Sequence, residues 1–466
     1  MKQRKMNRKY FFANGGSANF FRKHWKKITL VSVLSLSLIA GSAASGLAAG
    51  RGGQMMNGGM GGFMGGGMMG QNSNVTYAEN PTEIVTSSVE NAAASLTADL
   101  ENATRIRMSD SDNEVKIDEP GTYVISGDCS DGTVTVKKGT TGVVLVLDSL
   151  NLSSSAGAAV SINKEAQAMI VISGSVTLTD NENPADENSA DVEAAEAYDG
   201  AALKAKAGSQ VYLTGDGTLT INGNAKNGIK VGDADSSFVV DGENLTVNIF
   251  AANDGINAGA DLTLLSGAVN VTAGDDALHA DRILTIGAQD AADGPSITVS
   301  GAEGLEGTVV NIFSGSVDVF ATDDAINATQ KDAALTASLN ITGGTVSVQS
   351  RGDGLDCNGN INLLGGVITI NSASFGGEAG IDYDGAYYVA STVTLNNSSG
   401  VSGPDGGGMR GDMNGQGFGQ RGGWNMDGMT QDGQSQTDTD TSATQPNRQP
   451  QNDQRGGIHM RGGWNW

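Results

Sequence analysis

Pairs of acidic or amide residues recur along the middle of the chain, each followed by one small residue, one aliphatic residue and one polar residue. The stretch from 251 to 286 contains two such pairs, Asn253-Asp254 and Asp275-Asp276. Carboxylate and amide oxygens are the ligands that calcium prefers in proteins. The pattern therefore indicates metal binding, provided that the fold brings successive pairs together.

The aliphatic residue after each pair recurs every 21 to 29 residues between Leu203 and Ile381. Each interval also contains two short runs, such as "LTLLSGAVNV" and "LNITGGTVSV", in which apolar and polar residues alternate. Alternation with a period of two predicts strands, and three short strands per interval predict one coil of a solenoid. The sequence thus predicts an all-β chain folded as a parallel β-helix with coils of 21–29 residues, in which Gly, Asn and Asp occupy the turns.

Two segments fall outside this repeat. The stretch "VENAAASLTADLENA", residues 89–103, has the one helical pattern in the folded region, and it predicts a helix that caps the first coil. The acidic insert at 181–200 interrupts the period and predicts a protruding loop.

Equivalent residues of successive coils in such a helix lie about 4.8 Å apart. An ion with ligand distances of about 2.3–2.6 Å can therefore contact two stacked carboxylates, which would otherwise raise one another's pKa. We predict calcium as the cofactor, bound by residues on either side of the aliphatic position: Asn253, Asp254, Asn257, Asp275, Asp276, Asp323, Asp324, Asn327, Asp353 and Asp356. The alternative is that tight turns select Asp, Asn and Gly for backbone reasons alone.

Catalytic chemistry has less support in the repeat region. His279 is the one histidine of three that lies there, and no nucleophile is placed beside it, so no catalytic residue is assigned. A calcium-assisted lyase would need a basic residue near the ion, and Lys230, Arg282 and Arg351 are available for that role. Lys230 could instead face the carboxylate of a bound sugar.

Aromatic residues that could stack on sugar rings are sparse, because Phe, Trp and Tyr make up only 5% of the chain. The best candidates lie in "DYDGAYYV", which contains Tyr383, Tyr387 and Tyr388. We predict that these tyrosines and Lys230 contact carbohydrate. The alternative role for the tyrosines is a cap over the open core of the last coil.

The flanks of the chain differ from the repeat region in composition. Residues 1–49 combine nine basic residues with the apolar run "ITLVSVLSLSLIA", which is typical of an export signal or a membrane anchor. Residues 50–80 form a Gly/Met-rich linker and residues 399–466 a Gly/Gln/Trp-containing tail, and both compositions predict disorder. The folded domain is predicted over 81–398, in a protein that is secreted and associated with the cell surface or wall.

The formal net charge of the chain is −24 at pH 7. Such an acidic surface repels phosphate backbones, so nucleic acid is excluded as a partner. It would also repel an acidic polysaccharide unless cations intervene. The two cysteines, Cys129 and Cys357, lie many coils apart in the predicted helix and should remain free thiols. We expect a monomer.

The opening "GTYVISGDCSDGTVTV" and the repeated "NGIKV", "ANDGINA", "DDAIN" and "GDGLD" resemble a family of bacterial secreted carbohydrate-binding domains, over roughly residues 99–395. The resemblance implies a calcium-containing, right-handed parallel β-helix, similar in fold to calcium-dependent pectate lyases. It also implies binding to cellulose and to acidic plant-wall sugars such as polygalacturonate, with ions at the "NDG" and "DDA" acids. The chain departs from these motifs at Asn227 and Glu303, so their coils are weaker candidates for calcium.

Together these observations predict a non-catalytic extracellular protein that binds plant-wall or acidic polysaccharide, with calcium bridging the acids of the sugar and of the protein. Two alternatives remain open. One is a calcium-dependent enzyme similar to pectate lyases, and the other is a structural or adhesive cell-surface protein.

Overall fold

The computed structural model describes residues 75–181, 200–233, 235–374 and 378–403. These residues form a parallel β-solenoid of about ten coils, which confirms the predicted fold class. Among them, no helix is long and apolar enough to cross a membrane. The predicted export signal, nearly all of the C-terminal tail and most of the acidic insert lie outside the described residues.

The N-terminal half of the solenoid contains fifteen strands: β1 (Thr104–Met108), β2 (Glu114–Ile117), β3 (Gly121–Cys129), β4 (Thr133–Val136), β5 (Val143–Ser153), β6 (Val160–Ile162), β7 (Gln167–Ser173), β8 (Ser175–Thr179), β9 (Ala201–Ala205), β10 (Gln210–Gly215), β11 (Thr218–Gly223), β12 (Asn227–Val231), β13 (Ser237–Val240), β14 (Thr246–Ala251) and β15 (Ile256–Ala258).

The C-terminal half contains the remaining strands: β16 (Asp261–Leu264), β17 (Ala268–Thr272), β18 (Leu278–Ile286), β19 (Ser296–Gly301), β20 (Leu305–Ile312), β21 (Ser316–Ala321), β22 (Ile326–Ala328), β23 (Ser338–Ile341), β24 (Thr345–Gln349), β25 (Leu355–Cys357), β26 (Asn360–Leu363), β27 (Val367–Asn371), β28 (Ile381–Tyr383), β29 (Tyr387–Val389), β30 (Thr394–Asn397) and β31 (Val401–Ser402).

Each complete coil contributes one strand to each of three parallel sheets. Sheet A contains the short strands that follow the acid pairs, including β9, β12, β15, β22, β25 and β28. Sheet B includes β7, β10, β13, β16, β23, β26 and β29. Sheet C includes β8, β11, β14, β17, β19, β21, β24, β27 and β30. The longer strands β18 and β20 bend from sheet A into sheet B.

The core is a stack of aliphatic columns, because alternate residues of every strand point inward. In sheet A the inward column is Ile229, Ile256, Leu278, Leu305, Ile326, Leu355 and Ile381, and all of these are fully buried. This column is the repeat that predicted the coils. Cys129 and Cys357 are buried and free, as the solenoid prediction requires.

An N-terminal strap, residues 75–99, crosses the outer face of sheet B from the last coil to the first. At one end, the Ala78 N–H donates to the Tyr387 carbonyl at 2.7 Å. At the other end, the Asp99 N–H donates to Thr122 Oγ1 at 2.9 Å. Between them, Asn311 Nδ2 donates to the Val85 carbonyl at 2.9 Å. The strap therefore connects distant coils, and it begins within the segment predicted to be a linker.

The predicted capping helix at 89–103 is wrong. The structure has only a four-residue 3-10 helix, Ala92–Ser95, which lies within the strap and packs against β7 and β10. Sheet B offers hydrogen-bond partners to the extended chain, since Asn91 Nδ2 donates to the Val211 carbonyl at 2.8 Å and the Ala92 N–H donates to Gln210 Oε1 at 2.9 Å. A helix of this length is marginal by itself, so these tertiary contacts decide the conformation.

Candidate functional site

The turns that lead into sheet A carry the acidic residues in two adjacent columns. The first column, two residues before the core aliphatic, holds Asn227, Asp254, Asp276, Glu303, Asp324 and Asp353. The second column, directly after the aliphatic, holds Lys204, Lys230, Asn257, His279, Glu306, Asn327, Asp356 and Asp382. We call these two columns the acidic ridge.

Several side chains of the first column use one oxygen to bind the backbone of the next coil. The Asp254 N–H donates to Asn227 Oδ1 at 3.3 Å, and the Asp353 N–H donates to Asp324 Oδ1 at 2.6 Å. The Ala379 N–H donates to Asp353 Oδ1 at 2.5 Å. Turn chemistry therefore explains part of the acid repeat, but it uses only one of the two carboxylate oxygens of Asp324 and of Asp353.

The small residue after the acid is a packing requirement. A Cβ atom at Gly354 would lie 2.4 Å from Ile370 Cγ2 and 2.6 Å from the Gly380 carbonyl oxygen. The turn passes this close to the core of the coil, so only a residue with little or no side chain fits there without displacement.

The two acids of each pair face different surroundings. Asp275 and Asp323, the first members, are exposed, whereas Asp276 and Asp324 are partly buried on the ridge. Asn253 is half-buried, and its Nδ2 donates to Asp254 Oδ1 at 3.0 Å. Of the ten predicted ligands, the structure brings Asp324, Asp353 and Asp356 into shared carboxylate clusters, groups Asp276 with His279 and Glu306, and leaves Asp275 and Asp323 facing solvent.

The N-terminal end of the ridge is neutralised by the protein itself. Lys230 Nζ donates to Asn257 Oδ1 at 2.5 Å, and Asn257 Nδ2 donates to Asp254. Two predicted calcium ligands are thus hydrogen-bonded within a group that already contains a cation. Lys230 was predicted to face a sugar carboxylate, and in the structure its Nζ contacts a neighbouring coil.

The middle of the ridge is a network centred on His279, which is only 8% exposed. Its Nδ1 lies 2.9 Å from Asp276 Oδ2 and also contacts Glu306, and its Nε2 lies 2.9 Å from Asp281 Oδ1. Lys331 Nζ lies 2.9 Å from the other oxygen of Glu306. Burial lowers the pKa of His279, but the hydrogen bonds to the three carboxylates outweigh it and raise that pKa to about 11. His279 is therefore a cation that holds the ridge together.

The C-terminal end of the ridge concentrates negative charge. Carboxylate oxygens of Asp324, Asp353 and Glu378 lie within 4.8 Å of one another, and so do those of Asp353, Asp356 and Asp382. Burial raises the pKa of Asp353 to about 7, and the charges of Asp324, Asp382 and Asp356 contribute. Burial and the charges of Asp323, Glu378 and Asp382 likewise raise the pKa of Asp324 to about 6. We call Asp324, Asp353, Asp356, Glu378 and Asp382 the terminal acid cluster.

Two members of this cluster were not among the predicted ligands. Asp382 continues the second column of the ridge, where its position could have identified it. Glu378 lies three residues before Ile381, the position that Asp275 and Asp323 occupy in their own pairs, so the spacing could have identified it as well. Only the stacked coils bring Glu378 next to Asp324 and Asp353.

An orphaned polar atom lies beside the terminal acid cluster in the second column. Asn327 is buried, and its Nδ2 donates to Glu303 Oε2 at 3.0 Å. Its Oδ1 has no hydrogen-bond partner among the described residues. Burial and the charge of Glu306 raise the pKa of Glu303 to about 7. Carboxylates together with an unpaired amide oxygen fit a hard cation with oxygen ligands.

The tyrosines predicted to stack on sugars occupy other places. Tyr383 and Tyr387 are only 2% and 1% exposed, with ring centroids 5.0 Å apart, and Tyr77 of the strap stacks on Tyr387 at 5.2 Å. Their rings close the core of the last coil, so the carbohydrate prediction is wrong for these two and the capping alternative is correct. Tyr388 is half-buried on the outer face of sheet B, next to Asn362.

Comparisons with known proteins give a family and a structural likeness. The sequence model of a family described as carbohydrate-binding domain-containing protein matches residues 111–377 and 292–403. Among solved structures, the chain is similar to a polysaccharide lyase-like protein from C. thermocellum, determined as a gadolinium derivative. That match has 19% sequence identity and a TM-score of 0.34, and it covers 64% of this chain and 98% of the other. No curated protein matches the chain.

Proposed function

The chain belongs to the carbohydrate-binding domain-containing protein family, and on that premise we propose that it binds acidic polysaccharide outside the cell through calcium held at the terminal acid cluster. The binding is non-catalytic. Polygalacturonate represents the class of ligand, because each of its sugars offers a carboxylate.

The observation that carries this proposal is the crowding of carboxylates at Asp324, Asp353, Asp356, Glu378 and Asp382. In two of them, Asp353 and Asp324, burial and neighbouring negative charge raise the pKa toward neutrality. Such a group gains stability from a cation, and calcium takes six to eight oxygen ligands in flexible geometry. Asp324, Asp353 and Asp356 would hold the ion, with Glu378 and Asp382 as further ligands.

Calcium would also resolve the charge conflict between protein and ligand. The chain has a formal net charge of −24, so an acidic polysaccharide is repelled at long range. An ion at the edge of the solenoid can share its coordination between protein carboxylates and a sugar carboxylate. The positive charge supplied by the ion is then the main attraction in the complex.

Two of the three basic residues considered for a lyase reaction are held away from the terminal acid cluster. Of the basic residues considered for proton abstraction, Lys230 is hydrogen-bonded to Asn257. Arg282 Nε lies 3.3 Å from Asp332 and 3.6 Å from Asp261, an aspartate that also accepts from Ser87 of the strap. Neither of these two bases is directed at the terminal acid cluster, whereas the third candidate, Arg351, lies two residues before Asp353 and is exposed.

Calorimetric titration of the full chain tests the proposal. Calcium chloride should give saturable binding, and polygalacturonate should bind the calcium-loaded protein but not the protein in EDTA. Asp353→Asn should abolish both signals, whereas Asp323→Asn, an exposed acid in the adjacent position, should abolish neither. Absence of calcium binding, or polygalacturonate binding that EDTA leaves unchanged, would contradict the proposal. Accumulation of unsaturated, ultraviolet-absorbing uronate would show turnover instead.

A further inference from the structure

The outer face of sheet C differs from the rest of this acidic protein because it is almost uncharged. Its nine strands from β8 to β30 place three columns of side chains outward, and these are Ser, Thr, Asn and Gln at nearly every position. Asp318 is the one charged residue among the described outward positions of these strands. The face is therefore a polar and nearly neutral surface in a chain of net charge −24.

Two phenylalanines project from this face. Phe250 is 53% exposed and Phe320 is 46% exposed, and both are among the few large apolar residues that the described surface exposes. The strand register places them in one column, in the order Phe250, Thr272, Ser300, Phe320. The two rings are thus three strand spacings apart, about 14 Å, with two hydroxyl side chains between them.

The same local sequence carries both rings. Phe250 is the fourth residue of "VNIFA" and Phe320 the fourth residue of "VDVFA", each at the outward position where a strand of sheet C approaches the next acid pair. Core packing does not require an aromatic ring there, because Thr272 and Ser300 occupy the same column in the intervening coils. An exposed ring at a repeated position is typical of a contact surface.

Polar side chains of the face are already ordered by one another. Asn270 Nδ2 donates to Asn248 Oδ1 at 3.0 Å, and Asn222 Nδ2 donates to Thr179 Oγ1 at 3.0 Å. Side chains that are held before binding lose less conformational entropy when a ligand arrives. The regular strand spacing presents their amides and hydroxyls in rows along the solenoid axis.

We propose that this face is a second carbohydrate surface, which binds an uncharged polysaccharide chain lying along the solenoid axis, with sugar rings stacked on Phe250 and Phe320. The charge of the face favours a neutral polysaccharide as the ligand. A neutral chain is not repelled by the protein, whereas an acidic chain would find no cationic side chain among the described residues of this face. Hydroxyl groups of the ligand bond to Thr272, Ser300 and the neighbouring amides. The inference rests on the proposed function only in taking carbohydrate as the ligand, and it requires no calcium.

Affinity electrophoresis of the full chain in gels containing hydroxyethyl cellulose, with EDTA present, tests the second surface. Phe250→Ala and Phe320→Ala should each weaken binding roughly three- to tenfold, and the double variant should weaken it further. Phe250→Tyr should bind as the wild type does, since it keeps the ring, whereas Phe250→Leu should be weakened. Val367→Ala is the matched control, because Val367 is an exposed apolar residue of the same face in a different column.

The outcomes separate this inference from the calcium proposal. All Phe variants should keep calcium-dependent binding to polygalacturonate, and Asp353→Asn should keep binding to hydroxyethyl cellulose. The inference is overturned if the wild type does not bind the neutral polymer, or if Phe250→Leu or the double alanine variant binds as tightly as the wild type. A wild-type dimer that the double variant converts to a monomer in sedimentation would also overturn it, by showing that the rings join two copies of this chain.

Discussion

The backbone N–H of Asp353 donates to Oδ1 of Asp324, one coil away, at 2.6 Å. The two residues are equivalent positions of neighbouring coils, and Asp353 in turn accepts from the Ala379 N–H. Each carboxylate therefore fixes the turn above it with one oxygen. The same stacking crowds negative charge, which gives these acids both a structural role and a role in the proposed calcium site.

Substitutions at Asp353 should separate the two roles. Asp353→Asn keeps an oxygen for the Ala379 N–H and removes the charge, so it should lose calcium binding without loss of stability in EDTA. Asp353→Ala leaves a buried N–H unpaired and should cost about 1–3 kcal/mol of unfolding free energy. Urea denaturation in EDTA measures the difference, with Asp323→Asn as an exposed control. Equal stability of the Asn and Ala variants would refute the capping role.

The calcium-free protein should lose stability as the pH rises from about 4 to 7. Asp324 and Asp353 have folded-state pKa values of about 6 and about 7, above the ordinary value of 3.8. The folded state then binds more protons than the unfolded state in this range, so the contribution of these groups is present at low pH and is lost as the pH rises through the folded pKa.

Urea denaturation across this pH range, in EDTA and in calcium, measures that dependence. Calcium should flatten the decline because it replaces the protons, and the Asp324→Asn/Asp353→Asn double variant should decline less than the wild type in EDTA. A wild type and double variant with the same pH profile would contradict the assignment.

Replacement of His279 should destabilise the middle of the ridge. His279→Gln removes the cation that contacts Asp276, Asp281 and Glu306. Removing one partner of a buried ion pair leaves uncompensated charge, and we expect a loss of about 3 kcal/mol at pH 8. The loss should be no smaller at pH 5, because the folded-state pKa of His279 is raised to about 11, so its contribution to stability is complete below the ordinary value of 6.5 and is already declining at pH 8.

Urea denaturation of His279→Gln at both pH values gives the comparison, with Asp275→Asn as an exposed control on the same coil. A loss below about 1 kcal/mol at pH 8 would mean that Lys331 alone neutralises the network.

The strap should depend on the buried asparagines of sheet B. Asn362 Nδ2 donates to Thr82 Oγ1 at 2.8 Å and to Asn340 Oδ1 at 2.7 Å, and Asn362 Oδ1 accepts from the Thr82 N–H at 2.9 Å. Asn362→Ala should therefore cost about 1–3 kcal/mol and make the strap more sensitive to protease. Limited proteolysis with mass detection of cuts within 75–99 measures this, and Asn396→Ala on the exposed face of sheet C is the control. Unchanged cleavage would show that Asn362 does not hold the strap.

Much of the fold follows from the sequence because its hydrophobic repeat is local and strict. The column from Ile229 to Ile381 could be aligned by spacing alone, and register in a solenoid with a buried core has few alternatives. The acid columns follow by the same alignment. The free thiols of Cys129 and Cys357 could also be predicted from the sequence, because the two residues belong to coils that lie far apart.

Other features depend on contacts between residues distant in the chain. The segment at 89–103 has a helical pattern, but the partners that sheet B offers decide its extended path. The local sequence around Tyr387 predicts a residue that stacks on sugar. In the structure Tyr387 caps the core, because Tyr77, more than three hundred residues earlier in the chain, covers it. Composition cannot show such pairings.

The sequence by itself determined the coil, its core and the order of acids along the ridge, because each depends on residues within one or two repeats. Only the tertiary structure decided which acids are neutralised. Lys230 pairs at one end, His279 and Lys331 in the middle, and Glu378 joins further carboxylates at the other end. Charge compensation acts between coils over a few ångströms, and those distances exist only after the coils have stacked.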